Sequence, residues 1–225
     1  MKKTLVTVAL ASLAVVSTQA QGFVIFGSGT QNVSTNNTAY TDPNLGGPGI
    51  GKTQGAGLYY YALFYSASQT TVNGSAAAAI GNAAEGLLNG ASGWVFSGDY
   101  ASSTATAGRW TSIGANADGT STVAGLAGGA SAQFAILGWS ASLGTSLTAL
   151  EAAITGGASG YLGQSIVSGT LQAGDGALVT PATISSTGAP GINGFALGAV
   201  TVPEPGTLAL AALGVSSLLM LRRKK

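Results

Sequence analysis

Cysteine and histidine are both absent from the 225 residues. Without cysteine the fold has no disulfide framework, so packing and backbone hydrogen bonds must hold it. Without histidine there is no Ser-His-Asp or Cys-His catalysis, and the usual zinc sites are lost. Charge is scarce as well, at 7% of the chain, and it sits unevenly. Lys2, Lys3, Arg222, Arg223, Lys224 and Lys225 lie at the two ends, leaving only Lys52 and Arg109 between residues 21 and 202. Asp42, Glu85, Asp99, Asp118, Glu151 and Asp175 oppose them, so this central body carries a net charge of −4. Two cations neutralise few phosphates, and no nucleic-acid partner is expected.

The body is instead rich in Gly, Ala, Ser and Thr, dotted with aromatics. The chain has 36 glycines, more than twice the ordinary share, which points to many turns between short strands. Low charge is the opposite of what charge-driven disorder needs. Residues 21–202 are long enough for one domain with a real core.

The two ends have a different design. Met1-Lys2-Lys3 is a basic start, Leu5 to Val16 is apolar, and Thr18-Gln19-Ala20 is a small-residue cleavage site before Gln21. This is the layout of a secretory signal peptide over 1–20, cut by signal peptidase between Ala20 and Gln21. At the other end Pro203-Glu204-Pro205 precedes an apolar run from Leu208 to Leu221, closed by Arg222, Arg223, Lys224 and Lys225. The prolines keep the tripeptide extended and accessible, as a processing enzyme requires. As a helix, Leu208 to Leu221 would span roughly 21 Å, against about 30 Å of hydrocarbon. It is marginal as a permanent anchor and adequate as a transient one. The four cations should remain cytoplasmic.

Val202-Pro203-Glu204-Pro205, Gly206-Thr207, the apolar run with Gly214 and the basic end together resemble the PEP-CTERM sorting signal of exported Gram-negative bacterial proteins. The resemblance covers residues 203–225, about a tenth of the chain. It implies an exosortase-like processing enzyme as partner and a tail held in the inner membrane before release to the cell surface or extracellular matrix. Exopolysaccharide is the further partner it implies. It implies no activity for the body. The Leu-Pro-x-Thr-Gly motif of sortase substrates is missing, and a lipid-anchor signal would normally end in its apolar tail.

Within the body, Leu58 to Ser66 is the clearest strand, with Tyr59, Tyr61, Leu63 and Tyr65 on one face and Tyr60, Ala62 and Phe64 on the other. Gly22 to Gly27, Gly93 to Ser97 and Ala132 to Ser140 also read as strands, and Gln164 to Leu171, Ala177 to Ile184 and Gly194 to Val202 do so weakly. Ser28 to Gly57 reads as a long loop or broken edge strands. A helix is expected where Thr145 or Ser146 caps Leu147, Leu150 and Ile154, ending at Gly156. Ser75 to Leu88 is a second candidate despite its internal glycines. The expected fold is mainly β: an antiparallel β-sandwich with one or two short helices, flanked by the signal peptide and a C-terminal transmembrane sorting helix.

Gly46-Gly47-Pro48-Gly49-Ile50-Gly51-Lys52-Thr53 matches the P-loop pattern in full. A P-loop needs a buried strand before it and a helix after it, and neither flank has that character, so no nucleotide or other cofactor is expected. Asp99, Asp118 and Asp175 each adjoin a glycine. Two such acids facing each other in a cleft would suit glycoside hydrolysis, while the plain reading is turn chemistry. Tyr59, Tyr61, Tyr65, Trp94, Trp110 and Trp139 either fill the core or form an exposed platform for sugar rings. The readings rank in order: a non-catalytic exported surface or matrix protein, a glycan-binding module, and a carboxylate glycosidase.

Overall fold

The computed structural model describes residues 21–29, 33–42 and 47–200. The expected signal peptide and membrane segment lie outside them. Strands dominate: β1 (Gln21–Ile25), β2 (Val33–Asp42), β3 (Gly47–Lys52), β4 (Tyr59–Ser66), β5 (Ala79–Ile80), β6 (Val95–Ser103), β7 (Trp110–Ser112), β8 (Ser121–Ala127) and β9 (Ser131–Ser140) precede the helix α1 (Leu147–Thr155). After it come β10 (Gly160–Gln164), β11 (Leu171–Gln172), β12 (Ala182–Thr183) and β13 (Phe195–Val200). The large sheet runs β3-β2-β13-β10-β9-β4-β6-β7, with β11 and β5 paired to β9 and β10. A small sheet, β12-β1-β8, lies apart from it.

Two apolar clusters follow from the alternation along the central strands. Tyr59, Tyr61, Leu63 and Tyr65 of β4 join Phe134 and Ile136 of β9 and meet Val24, Val123 and Leu126 of the small sheet. Ala62 and Phe64, with Ala135, Leu137 and Trp139, join Leu143 and Leu150 beneath α1. The large sheet is therefore covered on both faces, by the small sheet on one and by helical segments on the other. This explains why β4 and β9 are apolar on both sides.

The structure is mainly β, as expected, with two sheets across one core. It departs from a purely antiparallel sandwich: β13 pairs with β2, and β1 with β12, in parallel. α1 begins and ends where the sequence places it. The Ser146 hydroxyl accepts from the Ala149 amide at 3.3 Å, and Gly156 stands at the other end.

The second helix is not formed. Within 75–88 the chain instead makes β5 and a 3-10 segment, Gly81–Gly86. Gly81 has φ +57°, and a Cβ there would meet the Ala199 carbonyl oxygen at 2.7 Å. Close approach to β13 overrides the helix propensity of the alanine run. Residues 28–57 hold β2 and β3, which lie at one edge of the large sheet, as the broken-edge reading had it. Of the weak strands, Gly194 to Val202 forms as β13, Gln164 to Leu171 and Ala177 to Ile184 shrink to β11 and β12, and β7, β8 and most of β10 arise where none is expected.

Candidate functional site

Pro203, Glu204, Pro205, the Leu208 to Leu221 run and Arg222 to Lys225 lie outside the described residues, as does Ala20. What the structure describes is where these segments attach. Gln21 opens β1, the middle strand of the small sheet. Val200, fully buried, ends β13, which lies between β10 and β2. The Pro203-Glu204-Pro205 motif thus follows an interior strand after only Thr201 and Val202. Pro203 is three residues from Val200, a reach of about 10 Å at full extension.

The six aromatics that were candidates for a sugar platform are all buried, none more than 9% exposed. Tyr61 lies 5.4 Å from Trp110 and 6.2 Å from Phe195, ring centre to ring centre, the latter edge-on. Trp94 and Trp139 spend their indole N–H groups on the carbonyls of Thr71 and Gly144, at 2.8 and 2.7 Å. The platform reading of these rings is overturned: in a chain with few large aliphatic residues, they are the core.

The P-loop pattern is also resolved by geometry. Gly47–Lys52 is β3, antiparallel to β2, where a phosphate cradle needs a helix start. The Thr53 hydroxyl is buried against the Val33 carbonyl oxygen at 3.3 Å and the Tyr61 hydroxyl at 3.4 Å. Burial pushes that Tyr61 phenol well above its ordinary range.

The three glycine-flanked aspartates have different surroundings. Asp175 Oδ1 accepts from the amides of Ala177, Leu178 and Val179 at 2.8–2.9 Å, which holds its carboxyl below the usual range. Asp118 Oδ1 accepts from the amide and hydroxyl of Thr120 at 3.0 and 2.7 Å, with the same effect. Both behave as turn acids. Asp99 is the exception. It follows Gly98 (φ +91°) in β6, half-buried, and its Oδ2 has no hydrogen-bond partner among the described residues. Desolvation pushes its pKa up to about 6, with the Ser121 hydroxyl pulling the other way.

The consequence for stability has a definite sign. The folded pKa lies above the unfolded one, so the stabilising effect of Asp99 is complete below about pH 4. It is lost as pH rises through about 6. Asp99→Asn is expected to match the native protein near pH 4 and exceed it in stability at pH 7. Urea midpoints measured at both pH values test this; an equal or lower midpoint for the variant at pH 7 contradicts it.

Residues 201–224 match the PEP-CTERM protein-sorting motif. Neither curated proteins nor solved structures give a match to the chain. The motif implies export, membrane association of the tail and processing by exosortase-type enzymes. The chain is a carrier of the PEP-CTERM protein-sorting motif, joined without a spacer to a body made mainly of β-strands.

Proposed function

We propose that this is an exported cell-surface or extracellular-matrix protein whose body is structural and not catalytic. Its tail is held in the inner membrane until an exosortase-like enzyme removes it. The observation that carries the reading is the sorting motif at 201–224, starting directly after β13. The settings of the acids support the structural half. Asp118 and Asp175 are committed to their own turns and held below the usual carboxylate range. Asp99 has the raised pKa of one member of a glycosidase pair, which also needs a second carboxylate facing it.

Intact mass of the protein recovered from its native cells tests the proposal. The expected species begins at Gln21 and lacks the residues beyond about Pro203. With Pro203→Ala, Glu204→Ala and Pro205→Ala combined, the expected species keeps Leu208 to Lys225 and stays with the membrane fraction. A native species that retains the tail, or a triple variant processed like the native protein, counts against exosortase-type release. Turnover of a sugar polymer by the purified body counts against the structural role.

A further inference from the structure

A groove of about 540 Å³ opens where the small sheet meets the far edge of the large one. Its walls come from three segments distant in sequence: the end of β1 through Gly29, the β6–β7 connection with β7, and β12 through Ser185. The frame is well fixed. The Ser28 amide donates to the Trp110 carbonyl at 3.0 Å, and the Ser28 hydroxyl accepts from the Trp110 amide at 2.8 Å. Gly27 bridges to Thr111. The amide of Thr104 donates to the Arg109 carbonyl, closing the connection into a tight turn.

Three features bear on what the groove takes. The first is charge. Arg109 is one of only two cations in a body of net charge −4, its side chain is exposed on the groove, and no acid lines it among the described residues. The local sign is therefore opposite to that of the body as a whole. A guanidinium presents a planar fork of donors that fits a carboxylate in two-point contact. The second is hydroxyl supply: six lining residues are Ser or Thr, and beyond Ser28 and Thr104, which bond the Trp110 and Thr106 backbone, Thr106, Thr111, Thr183 and Ser185 remain. A hydroxyl both donates and accepts, so such a wall matches a ligand that is itself a polyol. The third is an unmet need. Ser185 is only 4% exposed, and its Oγ has no partner among the described residues; nor has the Trp110 Nε1. Buried polar groups are rarely left so, and a serine hydroxyl changes rotamer readily when a partner arrives.

We infer that this groove is a binding site for a small polyhydroxylated carboxylate. Its carboxylate pairs with Arg109 and its hydroxyls face the Ser/Thr wall, with Ser185 at the floor. The volume lies within the range of small-molecule sites. Of the six buried rings, Trp110 lines the site.

Sodium gluconate, with sorbitol and inorganic phosphate as comparisons, is titrated into the intact protein by calorimetry. Saturable binding of gluconate is expected, with none for sorbitol and weaker binding for phosphate. Arg109→Gln is expected to weaken gluconate at least about tenfold, and Arg109→Lys to keep part of the affinity. Ser185→Ala separates ligand binding from folding: gluconate weakens while the thermal midpoint holds or rises, because an unpartnered hydroxyl has been removed. Absence of saturable gluconate binding overturns the proposal. So does unchanged binding in a folded Arg109→Gln or, should that variant not fold, in Arg109→Lys. Phosphate binding as tightly as gluconate overturns the assigned ligand class.

Discussion

Trp139→Ala is expected to lower the unfolding free energy by about 3–5 kcal/mol, toward the upper end of that range. The indole is fully buried in the cluster beneath α1, stacked with Tyr60 at 6.4 Å and edge-on to Tyr100 at 6.3 Å. Truncation removes these contacts and leaves a cavity. It also strips the Gly144 carbonyl of its 2.7 Å partner, in the turn that leads from β9 to α1. Trp139→Phe keeps most of the ring and loses that bond, so about 1–2 kcal/mol is expected. A domain of this size is stable by about 5–15 kcal/mol, so the alanine variant sits near the edge of folding. Urea unfolding read by far-UV circular dichroism measures both. A loss under about 1 kcal/mol for alanine would mean that this cluster relaxes around the gap.

The second large effect is expected at Gly163. It lies in β10 directly opposite Gly138 of β9, so a bare patch crosses two adjacent strands. A Cβ on Gly163 would run into the Ala196 carbonyl oxygen of β13 and meet Leu197 Cδ2 at 2.9 Å. Gly138 has a matching constraint, with Tyr61 Cδ1 at 2.8 Å and the Phe195 ring at 3.1 Å. Because backbone must move to admit a methyl at Gly163, the expected cost exceeds the usual overpacking range of about 1–3 kcal/mol. Gly188→Ala is the control, since a Cβ there meets nothing within 4 Å. It is expected to be neutral or to stabilise by up to about 1 kcal/mol. Equal stability of the two variants would contradict the account of β10 against β13.

The elements legible in the sequence are those whose own side chains carry the signal. β4 and β9 are rich in bulky residues on both faces, and α1 has its cap and its terminal glycine. β8, with the sequence STVAGLA, is a strand because β1 pairs with it, and its small residues give little local sign. The same is true of the parallel pairings: β13 meets β2 across more than 150 residues, a register that no local pattern encodes. The alanine run at 76–79 misleads because propensity speaks for a helix while contact with β13 decides otherwise. The sorting motif is a linear signal read by an enzyme, so it is fully legible. The Arg109 groove is not, since its walls are assembled from residues 25–29, 104–111 and 183–185. Asp99 resembles the other two glycine-flanked aspartates in sequence, and only burial separates it from them.

The attachment of the tail also has a mechanical meaning. Residues 198–200 of β13 pair with β10, and residues 195–197 pair with β2, so two ladders grip successive halves of one strand. A pull on the tail along the strand axis loads both ladders in shear, with their hydrogen bonds resisting together instead of peeling one at a time. In the proposed tethered state, the body hangs from a strand held on both sides. Drag on it would then be borne by the sheet as a whole.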